Sequence, residues 1–360
     1  MIINAVENFV LFCTVLMIVS FCIAITIRSF ASRGVWSLHP HTLSKIYSLA
    51  IVLPPVVSAW IACAAFLPRI LLGEDQFEAA HTAPLHKLHL IGELTERLEP
   101  VLAYLTLTFL ISTTCFVLYS AVRGYWRINN IVKKLELTAT LPSPDKLSLV
   151  RQTAARHNLD VGLVMSDYPL SFVWGITSSK LLLSSGTLCI LTTEELLGVL
   201  EHEGAHHRRY DNFFKFLLNI CVYSSLAFPL AHVIMRWRTL EIEMVCDEVA
   251  AAQTCMPLEI ADAMVKMGKQ KLAQLDSISS WTIVTGFIPE DKNGLEKRVR
   301  RLLNFADELP SLRHVEAISG TNKLIALLTI SFFAVTLLVI SFVAPLTVHH
   351  ATESLINLLG

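Results

Sequence analysis

Apolar and polar positions along this chain follow three different periods. Four stretches carry no charge over a span-like length, residues 8–27, 46–68, 101–122 and 324–346. Each is long enough to cross a hydrocarbon core of about 30 Å. A fifth apolar run, 213–235, has Lys215 as its one charge and a proline, Pro229, within it. Between the third and fifth runs the pattern shortens. Segment 139–146, with Pro142 and Pro144, reads as a linker, and 145–157 as a helix. Residues 160–189 read as β-rich, with short apolar runs at Gly162–Met165 and Lys180–Ser184. Thr192 and Glu195 then form a capping box, and Leu196, Leu197, Val199 and Leu200 supply the apolar side of the helix it starts.

Composition agrees with the long runs. Of 360 residues 53% are hydrophobic and 16% charged, with a net charge of −1, which is too apolar for an ordinary soluble domain. Pro54-Pro55 is expected to kink the second span without excluding it. The first run is not read as a cleavable signal, because Glu7 and no basic residue precedes it. Arg28, Arg33 and Lys45 join the first two spans, and Arg123, Arg127, Lys133 and Lys134 follow the third. The loop from Gly73 to Pro100 is acidic. The positive-inside rule therefore puts the amino terminus and that loop outside.

The expected organisation has three spans and an acidic outer loop in 1–122, and a cytoplasmic domain in 123–322. A fourth span and short outer tail occupy 323–360. The fold class is an α-helical membrane protein with a cytoplasmic α+β domain, multi-pass in the inner or plasma membrane. The eight cysteines fall in apolar runs or on the reducing side, with no disulfide or thiolate-zinc spacing, and read as packing residues. His81, His86 and His89 in the outer loop do not read as a second metal site.

The candidate chemistry lies in His202-Glu203-Gly204-Ala205-His206. Histidines at i and i+4 share one helix face and can reach one metal, while Glu203 lies beside it as a proton acceptor. A catalytic zinc keeps three protein ligands, and Glu243 is the best third candidate; Glu241 is a fallback and His232 a weaker one. Asp247 stands one turn after Glu243 and can orient a ligand histidine. One zinc ion per chain is expected. A single membrane crossing by 213–235 would separate His202 from Glu243, so that run is read as two shorter helices folding back. His207 points about 100° away from its neighbour and reads as structural; Arg208, Arg209 and Asp211 are assigned no catalytic part.

His202 to His206, with Arg209, Asp211, Glu243 and Cys246-Asp247, resembles the membrane-bound metallopeptidases of the beta-lactam sensor-transducer (BlaR/MecR) type. The HtpX and CAAX-prenyl peptidases share these paired motifs. The resemblance implies a cytoplasmic gluzincin metallopeptidase domain. It extends over Ser171 to Glu195, where Gly175 and the run Lys180, Leu181, Leu182, Leu183 and Ser184 match a substrate-binding edge strand. It reaches Arg298-Val299-Arg300-Arg301-Leu302-Leu303 more loosely. The sequence ends soon after the fourth apolar run, so no outer sensor domain and no direct beta-lactam sensing is expected.

Peptide-bond hydrolysis is the expected activity, with Glu203 as general base and a peptide added along Lys180–Ser184 as a strand. Arg298 and Arg301 are candidate substrate or oxyanion contacts, weighed against contact with lipid phosphates. Expected partners are the bilayer and a protein substrate, either a cytoplasmic transcriptional repressor or a membrane protein, with no direct nucleic-acid binding. Competing readings are membrane-protein quality control, a zinc-stabilised scaffold without activity, and zinc transport. Glu203 argues against the scaffold, since a structural site needs no base. Transport is disfavoured because the motif lies outside the four spans.

Overall fold

The computed structural model describes residues 2–33, 38–72, scattered positions between 104 and 126, 144–273 except 168, 176–178 and 226, and 285–286 and 292–308. The acidic loop with its histidines, the fourth apolar run and the tail lie outside the described residues. Helix α1 covers Ile2–Ser32 and α2 covers Pro40–Leu72, passing through Pro54-Pro55 as continuous helix. Each holds a stretch long and apolar enough to cross a membrane, Phe12–Ser32 and Pro40–Trp60. The positions described between 104 and 126 are helical and exposed.

The region after these helices starts at α3, Pro144–Arg156, where proline suits the first helical turn because its missing N–H has no partner there anyway. Strands β1 (Asp160–Val164), β2 (Ser171–Trp174) and β3 (Lys180–Ser184) follow, then the short α4, Ser185–Ile190. A two-residue β4, Thr285–Gly286, completes the sheet in the order β1-β3-β2-β4. β3 is parallel to β1 and antiparallel to β2, and β2 is antiparallel to β4. The expected edge strand is therefore a central one. Both backbone edges of Lys180, Leu181, Leu182 and Leu183 are already paired, so no peptide can add along them. The unbroken apolar run has its own cause. Leu181 and Leu183 enter the main core, while Leu182 packs with Val164 and Trp174 on the other face.

Helix α5, Thr193–Arg208, begins with the capping box read in the sequence: the Glu195 N–H donates to Thr192 Oγ1 at 3.3 Å, and the Thr192 N–H to Glu195 Oε2 at 2.9 Å. Tyr210, at φ 55°, turns the chain in a left-handed conformation into α6, Asp211–Tyr223. α7 covers Phe228–Thr254, α8 Pro257–Ala273 and α9 Lys292–Glu308. α6 and α7 are joined at 224–227, so the apolar run is two helices and not one. Their apolar faces pack on α1 and α2 in one cluster, with Leu218, Val222, Ala231 and Ile234 against Met17, Tyr47 and Ile51. Trp237 stacks on Phe21 at 6.0 Å, and Arg28 lies 4.8 Å above its ring. The chain thus leaves the motif helix at Asp211, turns among the two apolar helices and returns at Glu243.

Candidate metal centre

The α5–α7 contact brings three buried donors together. His202 Nε2 lies 3.1 Å from His206 Nε2 and 3.4 Å from Glu243 Oε2, and His206 Nε2 lies 3.5 Å from Glu243 Oε1. All three side chains are buried. Metal–donor bonds of about 2.0–2.2 Å in a tetrahedron give donor–donor edges of roughly 3.3–3.6 Å, close to this triangle. Glu243 Oε2 is a buried carboxylate oxygen that faces the two histidine rings, an acceptor suited to a cation. Two imidazoles and one carboxylate thus fit a divalent metal ion by chemistry and by spacing.

Each donor is held from behind. His202 Nδ1 lies 2.9 Å from Asp247 Oδ1, and His206 Nδ1 lies 2.8 Å from Asp211 Oδ2. Arg298 takes Asp247 in a bidentate grip, Nε to Oδ2 and Nη2 to Oδ1, both at 2.7 Å, and places Nη1 3.2 Å from Glu243 Oε2. This corrects the reading of Arg298 as a substrate, oxyanion or lipid contact. The side chain is fully buried, and its guanidinium is directed at two carboxylates. Arg301 instead pairs with Glu248, which also takes His39 at 3.0 Å.

Glu203 is fully buried, with Oε1 3.3 Å from Ser171 Oγ and Oε2 accepting the Val173 N–H at 3.0 Å. β2 therefore fixes the orientation of this carboxylate. Burial pushes its pKa up, against the nearby histidines. Burial alone would lower His202 and His206, but Asp247 and Glu243 raise the first, and Cys246, Glu243 and Asp211 raise the second. Glu243 is driven well below its ordinary value despite burial, by His206 and Arg298.

The fallback ligands lie elsewhere. Glu241 is not among the clustered donors, and burial lifts its pKa to about 7 despite Arg28 and Arg301. His232 bonds the Tyr223 hydroxyl at 3.1 Å and the Phe228 carbonyl oxygen at 3.1 Å. Two residues linked to the site in the sequence only through the family resemblance have contacts there that were not foreseen. Asp211 anchors His206, and its signal was an acid five positions after the histidine, at the start of the next helix. Cys246, read as packing, places Sγ 3.4 Å from His206 Nδ1. It forms a second buried cluster with His206 and Asp211, but through the nitrogen that already serves Asp211.

A helix carrying two metal-facing histidines and a buried carboxylate, roofed by a strand and completed by an acid from a second helix, is the architecture of a metallopeptidase. Comparison with known families agrees: residues 147–264 match the model of peptidase family M48. The matched segment runs from α3 into α8 and holds His202, Glu203, His206 and Glu243, whereas Arg298 lies beyond it. No curated protein matches the chain.

Proposed function

We propose that the chain is an integral-membrane zinc endopeptidase, with α1 and α2 as spans and the catalytic region at the cytoplasmic face. The substrates are proteins, either a cytoplasmic regulator or a membrane protein, cut in regulatory proteolysis of the sensor-transducer type. The observation that carries the peptidase reading is the buried triangle of His202, His206 and Glu243 on the helix that presents Glu203. Zinc bound there would supply Lewis-acid activation of water and of the scissile carbonyl.

The chain's own groups supply the rest. Glu203, held by Ser171 and the Val173 N–H, accepts the water proton and later delivers it to the leaving amine. Asp247 and Asp211 fix the histidine rings with Nε2 toward the ligand triangle. Arg298 keeps Asp247 and Glu243 from repelling each other.

The test is Glu203→Gln in the full chain, with metal content and peptide cleavage read on one preparation. Loss of cleavage with metal retained is expected, because Glu203 is not a ligand. Undiminished cleavage in that variant refutes the mechanism. Cysteine labelling at Asp145 from the inner side and at Glu78 from the outer side tests the orientation.

A further inference from the structure

The face of α5 carrying Glu201, Gly204 and Arg208 is nearly opposite the one carrying His202 and His206. There a cavity of about 860 Å³ opens against the end of α3, lined by Arg156, His157, Glu201, Arg208, Tyr210 and Gln253 among others. That volume is within the range of small-molecule sites. Gly204 admits its inner wall. A Cβ at this position would come within 2.5 Å of the His157 ring, so only glycine lets that ring lie on the helix.

The polar wall is pre-arranged. His157 Nε2 donates to Glu201 Oε2 at 2.9 Å, which leaves Nδ1 to accept from Arg208 Nη1 at 3.0 Å. Arg208 Nη2 donates to Gln253 Oε1 at 3.1 Å, so two contacts set the guanidinium plane. Arg156 Nη2 lies 3.1 Å from Glu201 Oε1 and offsets that carboxylate. The charge remaining in the wall is that of Arg208.

Tyr210 also begins an exposed apolar stripe. Tyr210, just before α6, is 64% exposed, and Phe213, Phe214 and Leu217 are 40%, 48% and 40% exposed on one face of that helix. The opposite face of α6 packs on α1 and α2 through Leu218 and Val222. Tyr210 thus links a singly cationic cavity, whose lining it shares, to an apolar helix face whose opposite side packs on the two candidate spans. That is the outline of an amphiphile with one negative charge. A phosphodiester matches the charge of Arg208, and an acyl chain matches the stripe.

We propose that this cavity and stripe hold one anionic phospholipid, its phosphodiester on Arg208 and an acyl chain along Tyr210, Phe213, Phe214 and Leu217. The proposal rests on the membrane reading of α1 and α2. It puts a lipid contact on the back of the helix that presents the metal ligands.

The experiment uses the full chain in detergent micelles, titrated with phosphatidylglycerol or phosphatidylcholine and read by native mass spectrometry. One retained phosphatidylglycerol per chain is expected, bound at least fivefold more tightly than phosphatidylcholine. Arg208→Gln should weaken it by roughly a factor of 5 and Arg208→Glu by about 25, one and two charges respectively. Arg300→Gln, on the exposed side of α9, should change nothing. Equal retention of the two lipids, or undiminished binding in Arg208→Glu, overturns the proposal. Displacement by millimolar inorganic phosphate would mean that an anion alone fills the site, and overturns it as well. Recovery of the chain in the soluble fraction without detergent would refute the membrane reading too, whereas membrane recovery without lipid preference refutes this inference only. Should the Arg208 variants fail to fold, as read by circular dichroism, the comparison of lipids on the wild type still decides.

Discussion

Replacing Arg298 with methionine separates two accounts of the metal centre. The side chain is fully buried, and its three nitrogens meet two carboxylates, Asp247 at 2.7 Å twice and Glu243 at 3.2 Å. Methionine has nearly the same reach, so the main loss is charge and not volume. Removing one partner of a buried ion pair costs about 3–5 kcal/mol, because the other charge is left without compensation. For a region of 150–250 residues each kcal/mol shifts Tm by roughly 2–4 °C, which puts the expected fall at about 6–20 °C. Zinc should recover part of it, since a divalent cation beside Glu243 replaces some of the missing charge. The assay is thermal unfolding of the wild type and Arg298→Met, each with a chelator and with excess zinc. A large gap under chelator that narrows with zinc is expected. Unchanged Tm and metal content combined with a fall in kcat would refute the reasoning, and would restore Arg298 as a group that meets substrate.

Asp211→Asn should weaken metal binding by about 10–100-fold, measured by chelator competition, because His206 loses the carboxylate 2.8 Å from its Nδ1. An unaltered affinity would show that Cys246 or the helix alone sets that ring. Gly204→Ala should destabilise despite alanine's better helix propensity, since the added carbon meets the His157 ring at 2.5 Å and overpacking costs about 1–3 kcal/mol against a gain of at most about 1. A higher melting temperature for that variant would refute the close packing.

The motif helix was legible because its signals are local. A capping box, an apolar lead-in and two histidines at i and i+4 need no knowledge of the rest of the chain. Glu243 and Asp247 were legible for the same reason, as one turn of one helix. What failed was non-local. Lys180–Ser184 was correctly bounded, but strand order depends on partners far along the chain. Its three consecutive leucines did carry the pattern of a strand buried on both faces, and that pattern favours a central strand over an edge. β2 was missed because four residues, Ser171–Trp174, are too few to establish an alternation. Arg298 was misassigned because a basic run on an amphipathic helix looks alike whether it meets phosphates or buried acids. Only the packing of α9 on α7 separates the two.

The charges around the metal centre lead to a final prediction about protons. Glu203, Glu243, Asp247 and Asp211 are four buried acids, and two guanidiniums contact three of them, Arg298 at Glu243 and Asp247 and Arg209 at 3.4 Å from Asp211. With all four ionised, two negative charges remain, which a divalent ion would balance. Without an ion the same balance requires two protons, and the groups around His202 and His206, the carboxylates and for His206 also Cys246, do raise both. Groups whose pKa is raised on folding contribute stability that is fully present below their unfolded value, near pH 6.5, and is lost as pH rises through the folded value. The metal-free protein should therefore lose stability as pH rises past neutrality, while the zinc-loaded protein should not. Zinc binding must also expel those protons, so affinity should fall as pH is lowered. Calorimetric titration of zinc at pH 6.5 in two buffers of different ionisation enthalpy reads the number released, and between one and two is expected. Release of none, with affinity constant from pH 6 to pH 8, would mean that the histidines are neutral before the metal arrives and that the acids around them are balanced in some other way.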